Sequence, residues 1–319
     1  MSQRSYAIIG TGALGGFYGA RLAKAGLEVH FLLHSDYEHV RRHGLVLESV
    51  DGDFALPEVR AYGAASDMPR CDVVCVCLKT TSNGLLAELL PPVVAEAGVV
   101  VVLQNGLGIE EQVAEIVGPG RVMGGLCFLC SNKVGPGHIR HLDYGYITLA
   151  DYGADRRPRG LTRRMREIGA DFQAAGIPVL FAEDLILARW KKLIWNVPFS
   201  GLAAVLNVAT DLLMADEHTR RLAEELMREV AAAAQAADGR LIDDGFIQGQ
   251  LADTAKMAPY RPSMLLDCVA GRPMEVEAIF GAPLRAARKA CCPTPRLEML
   301  YQQLKFLDAR NRGTGGRGG

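Results

Sequence analysis

The chain has 319 residues, about twice the usual length of one domain, and its 49% hydrophobic and 22% charged content suits a folded protein with a substantial core. With 35 basic against 36 acidic residues the net charge is -1, which excludes the long-range field that recruits nucleic acid or an anionic membrane surface. The opening MSQRSYAIIG holds only a short apolar run, and no later stretch is apolar for long enough to span a bilayer, so the chain is expected in the cytoplasm.

Along the first half, short apolar strands alternate with amphipathic helices, the pattern of a parallel sheet covered on both faces. Residues 6–9 read as the first strand, 17–25 as a helix closed by Gly26, and 29–33 as the second strand. Further buried strands are expected at 73–78 and 99–103, with a helix around 82–96 between them. The alternation of Ile139, Tyr146, Ile147 and Leu149 within 137–150 suggests a hairpin or edge strands. The segment 155–160, DRRPRG, reads as a turn, and a helix followed by 178–181 closes the unit.

Beyond Glu183 strand signals nearly vanish. A long apolar helix is expected over 184–206, interrupted at Pro198, and a second over 211–237, capped by Asp211 and stopped by Gly239. Helical patterns continue to about Arg310, with breaks at Pro259, Pro262, Gly271 and Pro293. The expected fold is therefore α/β: a doubly wound Rossmann-type sheet over 1–183, an all-helical substrate or dimerisation domain over 184–312, and a disordered tail over 313–319.

Gly10-Thr11-Gly12-Ala13-Leu14-Gly15 is a G-x-G-x-x-G between a strand and a helix, the context in which it binds a dinucleotide. Gly10 permits the tight turn, Gly12 lets a pyrophosphate approach the backbone, Gly15 allows close packing, and the helix start offers free amides. An acid about twenty residues on would hold an unphosphorylated ribose. Here the second strand ends in Leu33-His34-Ser35-Asp36, with Arg41 and Arg42 following, so NADP is preferred, although Asp36 leaves NAD open.

His39 and His43 share a helix face without a third ligand, and the eight cysteines, including the Cys127/Cys130 C-x-x-C, lack the pattern of a zinc site or a disulfide framework. No metal is expected.

The GTGALGG start, the strand ending at Lys79, the turn Gln104-Asn105-Gly106, the run Trp190 to Leu193 with Asn196, and the block from Ser263 to Glu275 together resemble the ketopantoate reductase (2-dehydropantoate 2-reductase) family. The resemblance spans Gly10 to about Phe306. It implies a Rossmann domain, a helical domain, a site between them, and reduction of a 2-oxo acid by NADPH on the route to pantothenate and coenzyme A. It implies Lys192 as the catalytic lysine and Glu275 as the glutamate that orients substrate and lysine. It further implies Asn105 and Lys79 on the cofactor side, and Asn105, Asn196 and Ser263 at the substrate. Ala13, Leu14 and His34 complete the cofactor contacts, and Ser200 stands with the substrate group.

Two departures bear on this. His34 stands where the family often has arginine, and Ser200 and Thr210 replace common asparagines. A substrate other than ketopantoate, or a non-catalytic NADP-binding sensor, are the alternative readings, and a homodimer is the expected assembly.

The residues carry their own argument. Delivery of hydride to a ketone leaves charge on oxygen and requires a proton donor within hydrogen-bond reach. Lys192, Asn196 and Ser200, spaced by four, form a polar stripe on a helix of Leu193, Ile194, Trp195, Val197 and Phe199. Such a stripe requires a wet cavity or partners. Lys191 reads as the solvent side of the same helix, Glu277 as a charge complementing a helix dipole, and Ser263 alternatively as a simple helix cap.

Overall fold

The computed structural model describes residues 4–314, which form two compact units, 4–104 with 109–185 and 105–108 with 186–314. The second unit thus contains the four-residue segment Asn105–Gly108 as well as the C-terminal helices. Gly313 and Thr314 close the last helix, and the remainder of the expected disordered tail, 315–319, lies outside the described residues.

The first unit runs β1 Ser5–Ile9, α1 Ala13–Lys24, β2 Glu28–Leu32, α2 Tyr37–His43, β3 Leu45–Ser49, β4 Phe54–Leu56, β5 Arg60–Tyr62, β6 Cys71–Val76, α3 Leu86–Leu89, β7 Val94–Val102, α4 Ile109–Val117, β8 Val122–Gly135, β9 His138–Asp151, α5 Arg163–Ala174 and β10 Val179–Phe181. The sheet order is β4-β3-β9-β8-β7-β6-β1-β2-β5, with β10 also pairing β9. Strands from β8 through β5 in that order are parallel neighbours, whereas β8–β9 and β3–β4 are antiparallel. Chain order reverses at β1, which lies between β6 and β2, and that switch point is where open α/β sheets bind ligands.

Several expectations shift. The first helix begins at Ala13 rather than Phe17, because the glycine loop turns directly into it: the Gly16 amide already bonds the Gly12 carbonyl at 2.8 Å. The helix expected around 82–96 is a 3₁₀ turn at Thr80–Leu85 plus the short α3, cut off by Pro91 and Pro92, and β7 starts at Val94 rather than 99. The segment expected as hairpin or edge strands is one long strand, β9, held between β8 on one side and β3 with β10 on the other. Strands β3, β4 and β5 had no distinct pattern in the sequence.

The second unit holds α6 Leu185–Leu206, α7 Thr210–Ala215, α8 Glu217–Asp238, α9 Asp244–Lys256, α10 Ser263–Val269, a π-helical segment Glu277–Gly281, α11 Ala282–Lys289 and α12 Pro295–Thr314. Helix α6 is its centre: Trp190, Ile194, Val197 and Phe199 are wholly buried. The Trp190 indole N–H is satisfied by Asp238 at 2.7 Å, and that of Trp195 by Thr254 at 3.0 Å. The helix is continuous through Pro198, not interrupted there. Proline removes only its own N–H, leaving the Ile194 carbonyl without its intrahelical donor, and packing on all sides holds the rest.

The expected single helix over 211–237 is two, and the cap is Asp216, not Asp211. Asp216 leaves the helical region, and its carboxylate accepts from the Thr219 amide at 2.9 Å. Gly239 ends α8 in the left-handed conformation, φ 65°, as the sequence suggested. Replacement of Asp216 by alanine is expected to cost about 1 kcal/mol of stability, read as a lower urea midpoint with unchanged slope.

Candidate functional site

The turn from β1 into α1 is built by close approach. Gly10 has φ 99°, and a Cβ there would lie 2.8 Å from the backbone nitrogen of Leu78, so the turn sits directly on the end of β6. A Cβ on Gly15 would meet the Gly10 carbonyl oxygen at 2.3 Å and the Ile8 side chain at 2.8 Å. At Gly12, by contrast, a Cβ meets nothing within 4 Å, and no side chain caps the helix it precedes. Open space over uncapped amides at a helix start is the cradle a pyrophosphate needs, so these residues fit a dinucleotide. Ala13 and Leu14 form the first turn of α1 behind that opening.

The ends of β6 and β7 are tied together beside this turn. Gln104 donates from its amide nitrogen to the Leu78 carbonyl at 2.8 Å and to Asn83 at 2.6 Å, and Asn83 in turn donates to Gln112 at 2.8 Å. This anchors the segment that carries Lys79, which is exposed at the start of the 3₁₀ turn. The QNG motif was legible, but not the part Gln104 plays in it.

At the end of β2, His34 and Ser35 are exposed while Asp36 is buried. Asp36 accepts from Lys133 Nζ at 2.5 Å, from the Gly137 amide at 3.0 Å and from the Ser35 hydroxyl at 3.0 Å. Burial alone would raise its pKa, but the hydrogen bonds from Lys133 and Gly137 outweigh it and hold the carboxyl below its ordinary value. The acid that left NAD open is therefore turned into the protein. Arg41 and Arg42 both pair with Glu38, at 3.1 and 3.2 Å. The His39 and His43 rings lie 4.8 Å apart between centroids, tilted by 46°, on exposed α2, and no metal-ligand cluster occurs among the described residues.

In the helical unit, Lys192, Asn196 and Ser200 lie on one face of α6 and are buried to 8%, 8% and 7% exposure. A buried amide and hydroxyl left to themselves cost stability unless solvent or a ligand completes them. Lys191 faces the other way, its ammonium 5.0 Å from the centre of the Phe246 ring.

The π-helical segment organises the remaining residues. Glu275 lies two residues before it, half-buried, and its carbonyl accepts from the Ile279 amide at 3.2 Å. On one side Ala278 receives the Asn105 turn: its carbonyl accepts from the Leu107 amide at 3.0 Å, and Gly106, φ 117°, leaves room for it, since a Cβ there would lie 2.6 Å from Ala278 Cβ. On the other side Phe280 packs against Gly201 of α6, where a Cβ would meet its ring at 2.8 Å. One short segment thus touches both the Asn105–Gly108 turn and helix α6 within the same unit. The side-chain oxygen of Asn105 is buried without a hydrogen-bond partner.

Ser263 stands apart: it is exposed on the first turn of α10, with Pro262 in the cap position, so it is not itself the helix cap. Thr210 has a structural task, its hydroxyl accepting from the Tyr260 amide at 3.3 Å while its own amide bonds the Tyr260 carbonyl at 3.0 Å.

Glu277 is more than a dipole complement. It accepts from Arg285 at 2.8 Å, Tyr301 at 2.8 Å and Lys305 at 2.9 Å, clamping the π segment to α11 and α12. Partial burial raises its pKa, yet these hydrogen bonds prevail and bring it down to about 2. A depressed carboxyl contributes stability that is present above the ordinary value of 4.5 and is lost as pH falls towards 2. Glu277→Gln is therefore expected to be less stable than wild type at neutral pH, and the two urea midpoints should converge as pH drops through that window.

Two family models match the chain, described as ketopantoate reductase PanE/ApbA over residues 6–154 and its C-terminal part over 184–308. A 2-dehydropantoate 2-reductase of Nostoc sp. is 58% identical over 312 residues, 98% of each chain. The crystal structure of 2-dehydropantoate 2-reductase from Geobacter metallireducens is 42% identical, with a TM-score of 0.91 over 95% of this chain and 99% of that one. A D-mandelate dehydrogenase solved with NADH and anilino(oxo)acetate shares the fold at 19% identity, with a TM-score of 0.86 over 97% and 99% of the two chains. With both halves matched in order and a relative 58% identical over nearly the whole chain, the chain belongs to the ketopantoate reductase family, whose members are pyridine-nucleotide-dependent reductases.

Proposed function

We propose that this protein reduces 2-dehydropantoate (ketopantoate) to pantoate with NADPH, on the route to pantothenate and coenzyme A. The observation that carries the reading is the α6 stripe: a lysine, an amide and a hydroxyl buried on one face of an apolar helix, in a member of this family. The dinucleotide supplies a hydride to the keto carbon. Lys192 donates a proton to the oxygen as charge develops there, and Glu275 orients the lysine and the substrate hydroxyl. Asn196 and Ser200 hydrogen-bond the substrate, Ser263 holds its carboxylate, and Asn105 serves both substrate and cofactor. Gly10, Gly12, Ala13, Leu14 and Gly15 receive the pyrophosphate, with Lys79 and His34 as further cofactor contacts.

NADPH is preferred over NADH because Asp36, committed to Lys133 and Gly137, offers no acceptor pair to an unphosphorylated ribose. The test is oxidation of each reduced nucleotide with ketopantoate and with other branched 2-oxo acids. Fast NADPH turnover with ketopantoate supports the reading. Turnover confined to another acid keeps the chemistry and changes the substrate, the outcome that Ser200 would explain. Nucleotide binding without turnover on any acid refutes it.

The eight cysteines are all free thiols, which suits the reducing cytoplasm, and no helix among the described residues is long and apolar enough to cross a membrane. A homodimer is the proposed assembly. Exposed Leu212, Leu241, Val269 and Phe306 give the helical unit apolar surface for it, and a monomer in sedimentation at micromolar concentration would remove that proposal.

A further inference from the structure

The carboxylate closest to the end of β2 is occupied by a residue from the opposite half of the same unit's chain. Leu33, the first residue past β2, is bonded through its amide to the Tyr62 carbonyl at 2.9 Å, and the chain then turns through exposed His34 and Ser35 into α2. Asp36 stands at the cap position of α2 but makes no side-chain cap bond. Instead Oδ2 takes Lys133 Nζ at 2.5 Å and the Gly137 amide at 3.0 Å, while Oδ1 takes the hydroxyl of exposed Ser35 at 3.0 Å. The side chain is 8% exposed, whereas that of Lys133, near the end of β8, is 33% exposed.

In a β-α-β dinucleotide site an acid in this region accepts the ribose hydroxyls and, by the same charge, repels a 2′-phosphate. Two independent features neutralise that threat here: the carboxylate is buried, and a cation sits on it. The remaining acid of the loop, Glu38, is shared by Arg41 and Arg42. What the end of β2 presents is therefore His34 and the Ser35 backbone and hydroxyl, with the carboxylates of Asp36 and Glu38 both paired.

We propose that Lys133 is a specificity-determining residue for the 2′-phosphorylated dinucleotide, acting by sequestering Asp36. The inference rests on the reading of the glycine turn as an NADPH site. Lys133 touches neither chemistry nor substrate; it is a positioning residue. Without its ammonium, Asp36 keeps a charge that lacks its counter-ion, and such a carboxylate turns to solvent or stays as a bare anion. In both cases the 2′-phosphate meets a negative charge that the wild-type protein hides, while an unphosphorylated ribose does not suffer from it.

Fluorescence titration of NADPH and NADH against the full-length protein tests this without depending on turnover. Lys133→Met is expected to reduce the preference for NADPH over NADH at least tenfold, the effect of about 1.4 kcal/mol. Lys133→Arg should keep the wild-type preference, because the pair survives. Asp36→Asn should also keep it, because nothing is left to hide. The double variant Lys133→Met with Asp36→Asn should regain what the single lysine variant loses, which simple damage to the loop would not allow. An unchanged preference in Lys133→Met overturns the inference, as does a double variant no better than the single. Should Lys133→Met fail to fold, a loss of preference in Asp36→Asn overturns it equally. Wild-type protein that binds neither nucleotide, or both alike, refutes the cofactor reading itself, an outcome visible before any variant is compared.

Discussion

Replacement of Lys192 by alanine is expected to lower kcat by about a hundred- to ten-thousand-fold while NADPH binding stays as in wild type. The expectation follows from where the lysine sits. Helix α6 is apolar, its residues Leu193, Ile194, Val197 and Phe199 are buried, and Lys192 is itself only 8% exposed. A ketone oxygen receiving a hydride's electrons carries negative charge that is greatest in the transition state, and an ammonium beside it in a water-poor site stabilises that charge most there. The loss should therefore fall equally on kcat and kcat/KM, the signature of an interaction made in the transition state. Asn196→Ala, which on the proposed reading removes a neutral hydrogen bond to substrate, should act mainly on KM. The control is Lys191→Ala: that side chain lies over Phe246, off the polar stripe, and its removal should leave turnover near wild type. Comparable turnover in Lys192→Ala and wild type would sink the mechanism.

What the sequence disclosed about this site divides along the range of the interactions. The glycine turn was legible because its constraints are local: a strand, a positive φ at Gly10 and a helix that starts at once. The polar stripe was legible because helical spacing alone puts Lys192, Asn196 and Ser200 on one face. The cap of α8 was misplaced because two aspartates open apolar runs here, and only Asp216 reaches an amide, that of Thr219, three residues on. Pro198 signalled a break, yet a proline in the interior of a well-packed helix takes away one donor and leaves the helix continuous. The long-range contacts were hidden for another reason. Asp36 meets Lys133, Glu277 meets Tyr301 and Lys305, and Gln104 meets Leu78 only after the chain has folded back on itself. No period or spacing relates such residues, so an acid that looks available to a ribose in the sequence is found spent on a lysine in the fold. The π segment is a similar case: nothing in Glu277–Gly281 distinguishes it from an ordinary first helical turn, though it carries the contacts to both Gly106 and Gly201.

The glycine turn yields the second large effect, and a pair of substitutions separates its two tasks. Gly15→Ala places a methyl group 2.3 Å from the Gly10 carbonyl oxygen, 2.8 Å from Ile8 and 3.0 Å from the Cys77 side chain. The first obstacle is backbone and cannot swing away as a flexible side chain would, so α1 has to lift from β1. Overpacking of this kind costs about 1–3 kcal/mol, and it displaces the very amides that are to hold the pyrophosphate. Both stability and NADPH affinity should fall, the affinity by roughly ten- to a hundred-fold if most of the strain is released at the loop. Gly12→Ala differs in kind. Its φ of -89° suits alanine, and the added methyl meets no protein atom within 4 Å, so the folded chain has no reason to resist it. The methyl does occupy the opening in front of α1, where a pyrophosphate would come against the backbone. Gly12→Ala is therefore expected to keep the wild-type urea midpoint and to lose NADPH affinity, whereas Gly15→Ala loses both. If Gly12→Ala bound NADPH as tightly as wild type, the space over that glycine would not be where the pyrophosphate lies, and the assignment of the turn as the cofactor cradle would have to be given up.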